Sequence, residues 1–283
     1  MDNKKTTQQL LDLKEENDYL NQQLSKLNKK LQDSDAFKSH FISNITNEIV
    51  NPFSSILGLS QSILKLDKEK IGQIHSMTKL IFNEAFDLDF QLQNIFAAAK
   101  VESGEINVEL SSINPVLFLK EIIEDLRFKS EKKLQYMNFS YEKDIPSNLV
   151  IDQEKLSLII KNILSNAIIY GHEKSEITIE MRCTNKELDI SIKNKGSLLN
   201  NEEIEEIFDR FLKLDKSINS INQGHGLGLS ISKAYIELLN GKIKVNSSKT
   251  EGNCFRITVP PYPSQANLLI HDDDLFSEES EIF

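Results

Sequence analysis

The residues with the clearest chemical potential form a glycine-rich string that opens a predicted helix. Gly224, Gly226 and Gly228 alternate with other residues, and an apolar period then runs from Leu229 to about Leu239. Glycine lets the backbone approach a phosphate closely, and the free N–H groups at a helix start favour an anion. The string predicts a phosphate-binding turn, with an ordinary turn as the alternative.

A second candidate site lies on an earlier predicted helix, residues 152–170. Asn162 and Asn166 are four residues apart, so they share one face of this helix. Amide oxygens are suitable ligands for a hard cation such as Mg²⁺. Asparagine inside a helix often only faces solvent, but both residues lie in an apolar run, which favours the metal-binding interpretation.

The N-terminal segment, residues 1–36, carries a heptad pattern. Leucines follow alternating three- and four-residue steps with Asn17 in the one missing place, and they are Leu10, Leu13, Leu20, Leu24, Leu27 and Leu31. A polar Asn at an a position fixes register in parallel two-stranded coiled coils. The pattern predicts a dimeric coiled coil, with a solvated helix packed on its own chain as the alternative.

Residues 37–104 continue the helical period as a predicted hairpin. Pro52 interrupts the first stretch and predicts a kink, and the second stretch runs from Ile71 to Val101 before Ser103 and Gly104 end it. A hairpin with one apolar stripe on each helix cannot bury both stripes alone. Two copies are therefore expected to form a four-helix bundle.

Residues 105–262 read as a mixed α+β domain. Helices are predicted at 116–134 and 152–170, and five segments alternate apolar and polar residues as half-buried strands do: 137–141, 177–181, 188–192, 243–245 and 255–259. Strands with one apolar face predict a sheet covered by helices on one side, an α/β sandwich.

Composition excludes several classes of partner. The chain has 43 acidic and 33 basic residues, a net charge of −10, which disfavours nucleic acid. Its two cysteines form no disulfide or metal pattern, and no apolar run reaches the roughly 18 residues of a spanning helix. A cytoplasmic location without a membrane span is expected.

The order of these features over residues 37–260 resembles the transmitter core of sensor histidine kinases. Five segments resemble its motifs: 41–52 the phosphoacceptor box, 162–167 the N box, 194–196 the first glycine box, 208–211 the F box and 224–229 the second glycine box. The resemblance implies a dimerisation and phosphoacceptor hairpin, then a domain of the histidine kinase, gyrase and Hsp90 type that binds ATP and Mg²⁺.

The phosphoacceptor box departs from the family at its central residue. The phosphorylated histidine falls on Asn47, beside Glu48, and an amide has no nucleophilic ring nitrogen. Self-phosphorylation at this position is therefore expected to be absent. His40 lies one heptad earlier, about 10 Å along the helix, and is either a surrogate acceptor or a surface histidine, the latter being favoured.

The first glycine box also departs from the family's pattern. Asn194 replaces the aspartate that reads adenine in the family, and Leu198 replaces the box's second glycine, while Gly196 is retained. An amide loses the charge-assisted strength of a carboxylate. We therefore expect ATP binding that is weakened, with the metal and phosphate positions formally present.

Asn51 stands at a position whose role in the family needs no histidine. In the family, the residue four after the acceptor positions water that hydrolyses the phospho-aspartate of a response regulator. An uncharged amide can orient water without repelling the phosphoryl group. The equal alternative is that Asn51 only caps a helical break before Pro52.

The last segment, residues 263–283, is mostly acidic. Its run 267–274 resembles the first strand and acidic cluster of a receiver domain, but it is too short to fold as one. The alternatives are a truncated hybrid and a disordered acidic tail, and composition favours the tail.

These observations predict a degenerate histidine-kinase-like homodimer, a pseudokinase that regulates phosphotransfer to a response regulator without phosphorylating Asn47. It would bind the regulator's receiver domain or pair with an active histidine kinase. One alternative is an active kinase that phosphorylates a partner chain or His40. The other is an inert dimeric scaffold.

Overall fold

The computed structural model describes residues 49–67, 69–184, 187–209 and 226–261, with six isolated positions of the N-terminal segment, namely Lys14, Asn17, Leu20, Asn21, Leu24 and Ser25. The predictions for Asn47, Glu48, His40, Gly224 and the tail 263–283 lie outside the described residues. The predicted coiled coil over 1–36 lies almost wholly outside them. The chain divides into two compact units, Met1–Ala85 and Phe86–Phe283.

The first unit contains a helical hairpin. Helix α1 covers residues 49–64 and continues across Pro52, and helix α2 runs over Ile71–Ser103. Between them the backbone turns, with Lys65 N donating to Ser62 O and Lys70 N donating to Asp67 O. Gly104 follows α2 with φ of +71°, as the predicted C-terminus requires. The second unit begins within α2.

The second unit alternates helices and strands. Its elements are β1 (Ser111–Ile113), α3 (Pro115–Lys132), β2 (Tyr136–Tyr141), β3 (Leu149–Ile151), α4 (Gln153–Tyr170), β4 (Glu176–Thr184), β5 (Glu187–Asn194), α5 (Asn201–Glu206), α6 (Gly228–Leu238), β6 (Lys242–Ser248) and β7 (Gly252–Val259). Local signals set the helix starts, because Asn114 caps α3 and Asp152 caps α4 with their side chains.

Five strands form the main sheet in the order β2, β4, β5, β7, β6. Strands β2 and β4 run parallel, and every other neighbouring pair is antiparallel. On one face Leu188, Ile190 and Ile192 are buried, and helices α3, α4 and α6 pack on one another and on the strands. This is the predicted α/β sandwich.

The opposite face of the sheet is polar. Arg256 donates to Asp189 at 2.9 Å from Nε to Oδ1, and Lys193 Nζ pairs with Glu180 at 3.3 Å. Burying one face and pairing charges on the other allows a single layer of helices to complete the core. A separate two-stranded sheet, β1 against β3, lies before α4.

Candidate functional site

Helix α4 carries the predicted cation-binding pair. Asp152 begins the helix by accepting a hydrogen bond from Lys155 N, and the apolar residues that follow are buried in the core. Asn162 is itself buried, with 4% of its surface exposed, and Asn166 is half-buried one turn later. A buried mid-helix asparagine needs partners, because an unpaired amide in the core is costly.

The partner of Asn162 comes from helix α2. Asn162 Nδ2 donates to Asn94 Oδ1 at 2.8 Å, and Asn94 Nδ2 in turn donates to Phe90 O at 2.9 Å. Asn94 is 5% exposed, so the chain of bonds is shielded from water. This arrangement fixes which end of the Asn162 amide is the donor and leaves Oδ1 on its other side.

The start of helix α6 lies against that oxygen. A Cβ placed on Gly228 would lie 2.8 Å from Asn162 Oδ1 and 3.0 Å from its Cγ. Gly226, two residues earlier, has φ of +69°, which disfavours any other residue. Leu227 at the N-cap supplies no side-chain hydrogen bond, and the first N–H groups of α6, which have no partner within the helix, are of the kind that favours an anion.

The predicted base-reading residue, Asn194, ends strand β5. It is 3% exposed, and within the described part of the chain its Nδ2 has no hydrogen-bond partner. Gly196 pairs with Gly171 in an isolated antiparallel bridge. A Cβ on Gly196 would clash with Tyr170 O and lie 2.9 Å from Asn194 Nδ2, so this glycine is required by packing.

The segment after Gly196 is held by strands β6 and β7. Asn253 Nδ2 donates to Ser197 O at 2.8 Å, and Leu199 N donates to Ser247 Oγ at 2.9 Å. Leu198, which occupies the family's second-glycine position, is 42% exposed. This segment is therefore fixed at both of its flanks although the glycine is absent.

Two residues that no motif indicated, Lys133 and Gln135, surround the end of α4. Lys133 Nζ donates to Ile168 O, Ile169 O and Gly171 O at 3.2, 2.5 and 3.2 Å. Burial lowers the pKa of Lys133, and the charge of Glu173 opposes this effect. Gln135 is 4% exposed, and its Nε2 donates to Ile168 O and to His172 O.

The remaining predicted positions lie elsewhere. Phe208 of the F box packs under Lys233 of α6, whose Nζ is 5.6 Å from the ring centroid. Asn51 is exposed on α1, in the other unit. The structure thus brings Gly228 of α6 into contact with Asn162 of α4, with Asn166 one turn further along α4, and places Asn194 and Gly196 at the end of α4.

These residues fit a magnesium-bound nucleotide. The amide oxygens of Asn162 and Asn166 are of the type that holds Mg²⁺, and the Gly226–Gly228 turn leaves helix N–H groups for phosphates. The unpaired Nδ2 of Asn194 suits a nucleobase. Bound Mg²⁺ would neutralise phosphate charge there.

Comparison with known proteins also indicates a nucleotide-binding domain. Residues 151–263 match the family described as histidine kinase-, DNA gyrase B- and HSP90-like ATPase. Histidine kinase P4 of Formosa agariphila is 30% identical over 226 residues, 79% of this chain and 16% of that protein. Sensor histidine kinase WalK of Bacillus subtilis is 24% identical over 80% of this chain and 37% of its own length.

A solved structure supports the fold. ShkA, determined at full length in complex with AMPPNP, has a TM-score of 0.57 and 18% identity, covering 80% of this chain and 46% of ShkA. The chain thus spans well under half of the curated relatives described above. Among the described helices, none is both long and apolar enough to cross a membrane.

Proposed function

Since the chain contains a sensor histidine kinase transmitter core, with residues 151–263 forming its ATPase domain, we propose that it binds Mg-ATP and regulates phosphotransfer to a response regulator. The observation that carries the nucleotide part is the packing of Gly228 against Asn162 Oδ1. This contact joins the N box to the second glycine box, the two motifs that would hold metal and phosphate. The AMPPNP bound by ShkA supports the same assignment.

The regulatory part of the proposal rests on Asn47. Phosphoryl transfer to a histidine uses a ring nitrogen lone pair, and an amide nitrogen offers none because its lone pair is delocalised into the carbonyl. The chain is therefore proposed not to phosphorylate itself at residue 47. Its influence on phosphate flow would come from binding the regulator or an active kinase.

Asn51 extends this proposal to dephosphorylation. It is exposed on α1, where a docked receiver domain has access to it. An amide there would orient water toward the regulator's phospho-aspartate without adding negative charge. The chain would then act as a regulator phosphatase that needs no phosphohistidine.

We also propose that the working unit is a homodimer. Four apolar residues on α1 share one stripe and are about half exposed or more, namely Val50, Phe53, Leu57 and Leu64 at 50%, 54%, 48% and 86%. Their spacing keeps them on one face of the helix. A second copy of the hairpin would bury this stripe in a four-helix bundle.

The experiment that tests the core proposal uses ATP labelled in its γ-phosphate. The purified chain should acquire no acid-labile label, whereas Asn47→His should acquire it if the ATPase domain still delivers the phosphoryl group. Acid-labile label on the natural chain alone would contradict the proposal and would favour His40 as the acceptor. Mass spectrometry of the labelled peptide identifies the residue.

An active kinase that phosphorylates a partner chain is the second candidate. Its nucleotide site would rest on the same contact of Asn162 with Gly228, and it differs from the leading proposal only in delivering the phosphoryl group to another chain. To distinguish the two candidates, the chain is incubated with a partner copy that carries Asn47→His and a disabled glycine box. This partner offers an acceptor histidine but cannot use ATP itself. Label on that partner would support the kinase, and Mg-dependent nucleotide binding in any form would exclude the inert scaffold.

A further inference from the structure

The strand at one edge of the main sheet, β2, lacks the features that keep most edge strands from pairing. Its six residues, Tyr136–Tyr141, include no charged residue, no proline and no glycine. The strand at the opposite edge, β6, carries Lys242 and Lys244 at exposed alternate positions. Edge strands are commonly blunted by lysine, proline or a bulge, because their free backbone groups would otherwise pair with another strand. Of the two edges, β2 is therefore the one open to pairing.

The backbone groups that face this open edge follow from the bonds on the other side of β2. Tyr136 N and Glu142 N donate at 3.3 and 3.1 Å to carbonyl oxygens of β4 and the residue before it. Successive strand residues direct their N–H and C=O groups to opposite sides, so the groups that point away from β4 belong to Met137, Phe139 and Tyr141. Among the described strands only β4 pairs with β2. These three N–H groups, the edge amides, therefore have no strand partner in the single chain.

Exposed apolar side chains accompany the open edge. Leu134, Tyr136 and Tyr141 are 63%, 58% and 49% exposed, and the ring of Phe139 lies 5.5 Å from that of Tyr141. Helix α3 packs on β2 and supports the strand from one face of the sheet. Aromatic pairs across neighbouring strands stabilise a sheet. An edge with free backbone groups and aromatic side chains is suited to receiving another extended strand.

The partner that fits this edge is β2 of a second copy. In an antiparallel pair with a two-fold axis through Phe139, this residue lies opposite its own equivalent, and Met137 lies opposite Tyr141 as a sulfur–aromatic pair. Asn138 then lies opposite Ser140, so no charged residue of β2 meets another. The chain as a whole carries a net charge of −10, and like charges placed opposite each other destabilise a strand pair. A neutral strand lets two copies meet without that repulsion.

We propose that β2 is a self-association surface, at which a second copy of this chain adds its own β2 in antiparallel pairing. The two main sheets then continue into one sheet through both copies. This surface uses no residue of α1 or of the nucleotide site, so it goes beyond the proposed function and does not depend on it. One short strand from each copy makes a contact at the low end of interface sizes, and we expect a dissociation constant on the order of 0.1 mM.

Amide hydrogen exchange, followed by nuclear magnetic resonance in a dilution series, tests the proposal. The full chain carries Phe53→Glu and Leu57→Glu, so that the proposed α1 contact does not add to the association. At about ten times the expected dissociation constant the edge amides should exchange about threefold or more slowly than at a tenth of it, because pairing covers them. The amide of Asn138, which faces β4, should be protected equally at both concentrations.

Asn138→Lys with Ser140→Lys gives β2 the alternating lysines that β6 has. Both positions are exposed on the face away from the helices, so the sheet should still fold, and the lysines would lie opposite each other in the pair. This variant should lose the concentration-dependent protection. Asn246→Lys with Ser248→Lys is the matched control, because it adds the same charges at exposed positions of β6 and should retain the protection.

Three results would overturn the proposal. Edge amides that exchange rapidly at every concentration would show that nothing pairs with β2. Protection that does not change on dilution would show that a segment of the same chain covers this edge. Equal protection in the β2 lysine variant would place the association elsewhere. The dilution series itself needs no change in β2, and none of these results bears on nucleotide binding.

Discussion

At the scale of single residues, the clearest constraint is the absence of a side chain at position 228. Gly228 lies close enough to Asn162 that a methyl group would meet its Oδ1 and Cγ at 2.8 and 3.0 Å. Asn162 cannot turn away easily, because Asn94 holds its Nδ2. The glycine is therefore required by packing against Asn162, and in the proposed nucleotide site the same contact would position the metal-binding amide.

Gly228→Ala is expected to weaken Mg-AMPPNP binding by about tenfold or more, because the added methyl displaces either the Asn162 amide or the start of α6. Titration calorimetry measures the loss. Gly72→Ala is the control, since nothing lies within 4 Å of a Cβ at that helical position. Equal affinities for the natural chain and Gly228→Ala would show that Asn162 Oδ1 has no part in binding.

Lys133 gives a prediction for how the free energy of unfolding depends on pH. Its pKa is lowered by burial below the ordinary 10.5. Between the lowered value and 10.5 the unfolded chain binds more protons than the folded one, so this residue makes the free energy of unfolding rise as pH increases through that interval. The penalty for burying the charge is fully present below the lowered pKa.

Lys133→Met should flatten this part of the profile. It should also destabilise the unit at pH 7 by about 1–3 kcal/mol, because three carbonyl oxygens at the end of α4 lose a charged donor. Urea denaturation from pH 7 to pH 10.5 measures both effects, with Lys132→Met as the control for the loss of one exposed positive charge. If the free energy of unfolding of Lys133→Met depended on pH as that of the natural chain does, Lys133 would not be the source of this dependence.

At the scale of elements, the bond between Asn94 and Asn162 is a specific link between α2 and α4. Asn94→Ala leaves Asn162 Nδ2 buried without its acceptor, and we expect a loss of about 1–3 kcal/mol in the free energy of unfolding. The released amide should also raise the Mg²⁺ concentration needed for half-maximal AMPPNP binding. A Mg²⁺ titration followed by calorimetry measures this shift.

Gln93→Ala is the control for Asn94→Ala. Gln93 precedes Asn94 on α2, but it is exposed and, among the described residues, its side chain donates within its own helix, to Asp89. It should leave both stability and Mg²⁺ dependence nearly unchanged. If Asn94→Ala lowered stability and left the Mg²⁺ dependence intact, Asn94 would be a packing residue and not a positioning residue for Asn162.

Much of the element pattern could be predicted because long periods and caps are local. The predicted helices 116–134 and 152–170 are observed as Pro115–Lys132 and Gln153–Tyr170, and the predicted strand segments lie within β2, β4, β5, β6 and β7. Strands β1 and β3 were missed because three residues are too few to show alternation. Helix α5 was missed although Asn200 and Glu203 form a capping box that the sequence displays.

The same distinction between local and long-range information applies to the candidate site. Motif spacing predicted that Asn162, Asn194 and Gly228 belong to one nucleotide site, because each stands in a local pattern. The contacts that define their chemistry join residues far apart in the chain, as Asn94 and Asn162 do, and no local pattern encodes them. Gln135 carries no motif at all, and only the fold places it near Asn194 and Gly171.

At the scale of the whole molecule, the proposed dimer depends on the apolar stripe of α1. The stripe residues Val50, Phe53, Leu57 and Leu64 are exposed in the single chain. Full burial of an exposed side chain of this kind stabilises by about 1.5–3 kcal/mol, and burying the exposed part of these residues contributes roughly half of that each, which favours association of two copies along this stripe. Charges placed on the stripe should oppose association because they would be buried without partners.

The variant Phe53→Glu with Leu57→Glu should therefore sediment as a monomer at concentrations where the natural chain sediments as a dimer. Ser55→Glu is the matched control, because Ser55 is exposed about half a helical turn from the stripe and its charge would stay in water. Circular dichroism would confirm that helix content is retained. A doubly substituted chain that remains dimeric would place the interface away from α1, and the N-terminal heptads at Leu10 to Leu31 would then be the segment to truncate next.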